Sequence, residues 1–208
     1  MKSGVMHNYS LLTMLLVSFL PFQGGILAQN RSLLLMSWLH QVDSKWLGKS
    51  IFKLSVGKIW GAAPYPYLFN APGSNRYKDF QLIAPNSFQT ADFYEFTQDQ
   101  YVAFFLEQRF GALLYKSKSR YFKPALSLVQ NLGFGRLSNP QQHHKLALKP
   151  MEKGYFESGL YVRNLLRLPY FDLFYLNFGV GAMYRWGAYQ QVGFKDNLVT
   201  QFIFGVGF

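Results

Sequence analysis

Hydrophobic residues recur at every second position through most of the chain, the spacing of strands with two unlike faces. Over residues 172 to 186, Phe174, Leu176, Phe178, Val180, Ala182, Tyr184 and Trp186 fall on one face, and Tyr175, Asn177, Gly179, Gly181 and Arg185 fall on the other. The division returns at 100 to 110, with Val102, Phe104, Leu106 and Phe110 against Tyr101, Ala103, Glu107 and Arg109. At 125 to 136, Leu126, Leu128, Leu132 and Phe134 oppose Ser127, Asn131, Gly133 and Gly135; at 155 to 168, Phe156, Leu160, Val162 and Leu166 oppose Glu157, Gly159, Tyr161 and Arg163. The last segment, 198 to 208, sets Phe202, Phe204, Val206 and Phe208 against Gln201, Ile203, Gly205 and Gly207. Two earlier segments, 49 to 60 (Phe52, Leu54, Val56 and Trp60 on one face) and a weaker one at 32 to 42, bring the predicted strands after residue 30 to about seven.

The second face decides between classes. A soluble sheet turns dense Lys, Glu and Thr to water, whereas these strands carry Gly, Ser, Asn and Tyr with isolated charges, as in the crowded polar interior of a membrane barrel. Tilted strands of about 9 to 11 residues or more cross the hydrocarbon layer, so the pattern predicts an all-β, antiparallel transmembrane β-barrel with seven or eight strands present. A soluble barrel or sandwich is the alternative. Tyr184 and Trp186, at a strand end, are the predicted aromatic girdle. Glycines in Gly133-Phe134-Gly135 and Gly205-Val206-Gly207 lie inside predicted strands, where they relieve crowding, and are not phosphate loops.

Connections alternate in length. Counting back from Phe208 there is a loop at 187 to 197, a tight Leu168-Pro169-Tyr170 turn, a polar stretch at 137 to 153, a shorter basic turn at 111 to 121, and a long Pro/Gly/Asn-rich loop at 61 to 92. Outer-membrane barrels keep short turns periplasmic and long loops outside, so the expected location is the cell outer membrane with a periplasmic C-terminus. Seven spans would then put residue 31 outside the cell, although single-chain bacterial barrels use even strand numbers. Either residues 9 to 20 add a strand, or the chain is the C-terminal part of a larger barrel.

Composition strengthens the membrane reading: 50% of residues are hydrophobic and 19% aromatic, but only 15% are charged, against roughly 25% in soluble domains. No apolar run after residue 30 reaches the roughly 20 residues of a membrane-spanning helix. The absence of cysteine excludes disulfides and thiol chemistry. The net charge of +11 is spread without a nucleic-acid-binding motif, so no nucleic acid partner is expected. Its densest cluster, Lys116, Lys118, Arg120 and Lys123, fits either phosphate-rich lipid or a solvated turn. Residues 1 to 28 have the parts of a secretory signal, with Lys2, an apolar core at 11 to 20 and Ala28 as a cleavage residue; a mis-started or damaged barrel strand is the rival reading.

Candidate chemistry is sparse. Glu107, Arg109, Glu157, Arg163 and Arg185 share the inferred lumen face and form the candidate charge network, either filling the lumen with ion pairs or lining a solute path. His143-His144 reads as solvated loop, because adjacent residues on an extended chain point apart. No catalytic, cofactor-binding or metal-binding residue is assigned: the histidines, His7, His40, His143 and His144, fall on no well-marked strand beside a nucleophile. A barrel enzyme acting on lipid or lipopolysaccharide remains the weakest alternative, resting on the basic turn and lumen charges alone.

Gly57-Lys58-Ile59-Trp60-Gly61 with Pro64-Tyr65-Pro66, Asn86-Ser87-Phe88, Tyr94-Glu95-Phe96 with Asp99-Gln100-Tyr101-Val102, Gly154-Tyr155-Phe156-Glu157-Ser158-Gly159-Leu160, and Tyr184-Arg185-Trp186-Gly187 with Asp196-Asn197 form an ordered series. From about residue 46 to 208 it resembles the C-terminal barrel of an uncharacterised outer-membrane family whose full-length members carry an N-terminal carboxypeptidase-regulatory-like domain, a non-catalytic β-sandwich. That barrel is distantly similar to those of the bacterial surface antigen and outer-membrane assembly superfamily. The resemblance implies a non-enzymatic barrel serving transport, assembly or surface display, further strands upstream, no cofactor and no inherited catalytic residues. Outer-membrane lipid, lipopolysaccharide and the barrel-assembly machinery are the implied partners, the last through the terminal signature Phe202, Phe204, Val206 and Phe208. A stand-alone eight-stranded structural or adhesive surface barrel is the alternative.

Overall fold

A computed structural model describes residues 32–61, 63–75, 81–84, 86–111, 113, 115–143, 146–171 and 173–207. Residues 1 to 28 with their signal reading, His7, the segment 9 to 20, His144 and Phe208 therefore lie outside the described residues. The protein is all-β, with a large antiparallel sheet and almost no helix.

Two long strands, β1 (Ser32–Ser44) and β2 (Gly48–Trp60), open the fold. Five short strands follow: β3 (Phe69–Asn70), β4 (Gly73–Asn75), β5 (Gln81–Leu82), β6 (Phe88–Asp92) and β7 (Thr97–Gln98). Five long ones complete it: β8 (Gln100–Gly111), β9 (Ala125–Arg136), β10 (Tyr155–Tyr170), β11 (Phe174–Trp186) and β12 (Leu198–Gly207), with the one-turn helix α1 (Phe194–Asn197) before the last. The main sheet runs β1-β2-β8-β9-β10-β11-β12, each neighbour antiparallel, and β5 adds two residues in parallel beside β12. The seven long strands are the seven that period-two patterning marks out, including the weak one at 32 to 42.

Register explains why alternation in sequence becomes one continuous face in space, on which the inward charges stand among apolar residues. Residues directly opposite one another share a face, and a single row crosses five strands as Lys53, Phe105, Asn131, Glu157 and Arg185. The row two residues further along reads Ile51, Glu107, Val129, Gly159, Met183 and Val199. We call this the inner face. Pairing slips between Val162 and Leu166 on β10, where Asn164 takes φ +57°, but parity survives the bulge.

The expected turn at Leu168-Pro169-Tyr170 is corrected. β10 continues through Pro169, which pairs with Tyr175, and the reversal falls at residues 171 to 173, with Phe171 at φ +46° and the Leu173 N–H bonded to the Tyr170 carbonyl at 2.9 Å. Proline is tolerated there because β9 pairs with β10 only as far as Arg163, so the ladder on that side has ended.

The expected long loop at 61 to 92 is in part packed structure: its described residues fold back over the inner face, where Phe88, Ala91 and, just beyond, Phe96 bury themselves against Ala103, Phe105, Met151 and Tyr155. Phe88 meets the rings of Phe105 and Tyr155 at 5.1 and 5.0 Å. Gly133 is the residue on β9 that admits the Phe88 ring, since a Cβ there would stand 2.6 Å from its Cζ. Within the insertion, Gly73 lets β4 lie against β6: a Cβ would meet the Asp92 and Ala91 carbonyl oxygens at 2.3 and 2.7 Å. Backbone cannot move aside cheaply, so Gly73→Ala is expected to cost about 2 kcal/mol. Gly205→Ala, where nothing lies within 4 Å, should stay within about 0.5 kcal/mol of the parent. Urea midpoints of the two variants measure the difference.

Candidate functional site

The insertion is held by two charged residues that face each other across neighbouring strands. Glu157 on β10 and Arg185 on β11 are register partners and both fully buried. They do not pair with each other. Each reaches up to the insertion, as a buried charge must when its neighbours on the sheet leave its bonding capacity unmet.

Glu157 accepts the backbone N–H groups of Gln89 and Thr90, both at 2.8 Å, the Thr90 hydroxyl at 2.7 Å and the Asn131 side-chain amide at 2.5 Å. Successive N–H groups on β6 thus end on one carboxylate, the charge-assisted arrangement that makes such bonds strong. Thr90 also shares a 2.6 Å bond with the Tyr155 hydroxyl, and Gln201 on β12 donates to the Gln89 side-chain oxygen at 2.7 Å. Gln89 turns its own amide back to the Ser87 carbonyl at 2.8 Å, closing the loop ahead of β6.

Arg185 donates to both oxygens of Glu95, at 2.9 and 2.7 Å, and to the Thr90 carbonyl. Its guanidinium lies over the Tyr155 ring, 4.9 Å from the centroid. Lys149 reaches Glu95 at 3.0 Å and sits against the rings of Phe96 and Tyr189, at 4.8 and 5.1 Å. Burial opposes ionisation of Glu95, but the hydrogen bonds from Arg185, Lys149 and the Asp92 backbone, with the Arg185 charge, hold its carboxyl below the ordinary carboxylate range. The sign follows from linkage: this clamp contributes its full stability above the ordinary carboxylate pKa and loses it as pH falls through the lowered one.

Three of the expected lumen charges form a separate group nearer the short turns. Glu107 takes Arg109 through both oxygens, at 2.7 and 3.0 Å, and is also bonded by Arg163, which donates to Ser127 at 2.7 Å. The five candidates therefore divide into an ion-paired trio on the sheet and a pair that clamps the insertion. Gln89, Thr90, Glu95, Lys149 and Gln201 belong to the clamp and were not among the candidates. The available signal was Ser87 to Ala91, an uncharged Ser-Phe-Gln-Thr-Ala stretch without Gly or Pro inside a loop otherwise marked by turn chemistry.

Tyr184 and Trp186 face away from the insertion. The Trp186 ring stacks on Phe156 at 4.8 Å and its N–H donates to Ser158 at 2.9 Å, while Tyr184 packs against Phe194 at 5.2 Å. Phe202, Phe204 and Val206 lie along β12, with Phe204 5.5 Å from Phe178. His40 stacks on Trp38 at 5.3 Å within β1, and His143 ends a 3-10 turn. Asn197, also buried, stitches the loop before β12 through both side-chain atoms to Gln191 and through its amide to Gly193. Comparison with family models, with curated proteins and with solved structures finds no match to this chain, so the geometry of the clamp and of the two sheet faces carries the functional reading.

Proposed function

We propose that the chain is the wall and plug of a non-enzymatic outer-membrane β-barrel, serving transport, assembly or surface display, with β1 at one edge of the wall and β12, paired over two residues with β5, at the other. The observation that carries this is the outer face. Val102, Leu128, Phe134, Leu160, Val180 and Phe204, from five adjacent strands, are each 42% to 53% exposed on the side away from the insertion. Glu157, Arg185, Asn131 and Gln201 are turned inward and buried, while the outer-face amides Gln108 and Gln130 are each bonded to a neighbouring serine, Ser50 and Ser158. A sheet in water would reverse the two, because an apolar area of this extent needs a cover; lipid supplies it, and polar groups inside then need partners, which the clamp provides.

In this reading the insertion and the connections from β9 to β10 and from β11 to β12 lie on the outer side of the membrane, and the three-residue turns face the periplasm together with the longer connection from Gly111 to Ala125. The lumen is closed on the outer side by residues 61 to 99 rather than open as a channel. Fractionation and gel migration with and without heating test the proposal. A heat-modifiable band in the outer-membrane fraction is expected; a protein that stays in solution without detergent overturns it.

A further inference from the structure

Below the insertion, on the inner face, lies a cavity of about 450 Å³, a volume in the range of sites for small organic ligands. Its roof is the insertion, through Ser87 and Gln89, and its floor and walls come from five long strands, β2, β8, β9, β10 and β12. The walls are mixed. Ile51, Phe105 and Val129 give an apolar side, while Lys53, Arg109 and Arg163 bring three cations against the single carboxylate of Glu107.

The charge balance is specific. Both oxygens of Glu107 are occupied by Arg109, and one is shared with Arg163. Lys53, half-buried beside Phe105 in the row that leads to Glu157, has no ion pair or hydrogen bond among the described residues. A half-buried ammonium without a counter-charge is unfavourable, and an entering anion would offset that cost. The excess positive charge disfavours a metal cation, and a neutral apolar molecule would leave Lys53 unmet.

We propose that this cavity binds a small organic acid, its anionic group meeting Lys53 and its apolar body lying along Ile51, Phe105 and Val129. The inference does not depend on what covers the outer face: a protein that proved soluble without detergent would leave it standing.

Naphthalene-2-carboxylate is a suitable probe, with 2-naphthalenemethanol as its neutral counterpart, titrated into the full chain in non-ionic detergent and followed by saturation-transfer NMR. The carboxylate should bind at least about tenfold more tightly than the alcohol, the ratio that one well-placed charged contact gives. Lys53→Met should abolish that preference and Lys53→Arg should retain it, with circular dichroism confirming the fold of each. Equal binding of acid and alcohol by the parent protein overturns the proposal, as does an unchanged preference in folded Lys53→Met. Should Lys53→Met not fold, the parent's choice between acid and alcohol decides alone.

Discussion

Glu157→Ala should release the insertion from the sheet and lower stability by about 3 to 5 kcal/mol, the range for removing one partner of a buried, hydrogen-bonded charge. The carboxylate is fully buried and receives two backbone N–H groups, a hydroxyl and an amide. Alanine would strand the two backbone N–H groups and the Asn131 amide in a space that water does not reach, and leave the Thr90 hydroxyl with Tyr155 alone. Glu157→Gln should fall between parent and alanine, because its oxygen still accepts one pair of donors while its NH2 group confronts the other. Amide hydrogen exchange reads the effect locally: protection of the Gln89 and Thr90 N–H groups should fall by about a hundredfold or more in Glu157→Ala. Unchanged protection would show that the insertion is held by its aromatic contacts alone.

The second large effect belongs to Arg185, whose side chain is buried and bonded to Glu95 and to the Thr90 carbonyl. Arg185→Met removes the guanidinium and leaves Glu95 with Lys149 as its remaining cationic partner, a loss expected at about 3 kcal/mol. Arg185→Lys should recover only part of it, since a single ammonium cannot bond both carboxylate oxygens in the fork geometry. Combining Arg185→Met with Glu95→Gln should cost less than the two changes added, because each removes the other's partner. The parent should also lose stability in acid, as pH falls through the lowered pKa of Glu95, and Glu95→Gln should flatten that dependence. Denaturant midpoints across the acid range decide both points; strict additivity, or a Glu95→Gln curve parallel to the parent, would contradict the clamp.

The strands were legible because period two is a local property. Residues such as Leu128 and Ser127 declare opposite faces within any short window, and the observed register keeps those faces aligned across seven strands. The inward charges were legible on the same ground. What the spacing could not show was which partner each inward charge would take. Glu107 found Arg109 two residues along its own strand, within local reach, and Arg163 two strands away. Glu157 and Arg185 took theirs from residues 89 to 95, a long way off in sequence and with no period of their own. Pro169 misled for a different reason. Proline marks a turn on average, but it is equally compatible with a strand whose neighbour has already ended.

The bond between Gln201 and Gln89 joins residues 112 positions apart, and Arg185 reaches Thr90 across 95. A contact of that separation carries a loop-closure cost and forms late compared with hairpins such as β1 and β2. The insertion is made before its anchors β10, β11 and β12, which follow it in the chain. Until they arrive, Phe88 and Phe96 have only part of their packing surface, and the backbone donors of β6 have no acceptor. Refolding should therefore show the sheet's secondary structure first and protection of the Gln89 and Thr90 amides afterwards, with the covering of the inner face set by the pace at which β10, β11 and β12 form.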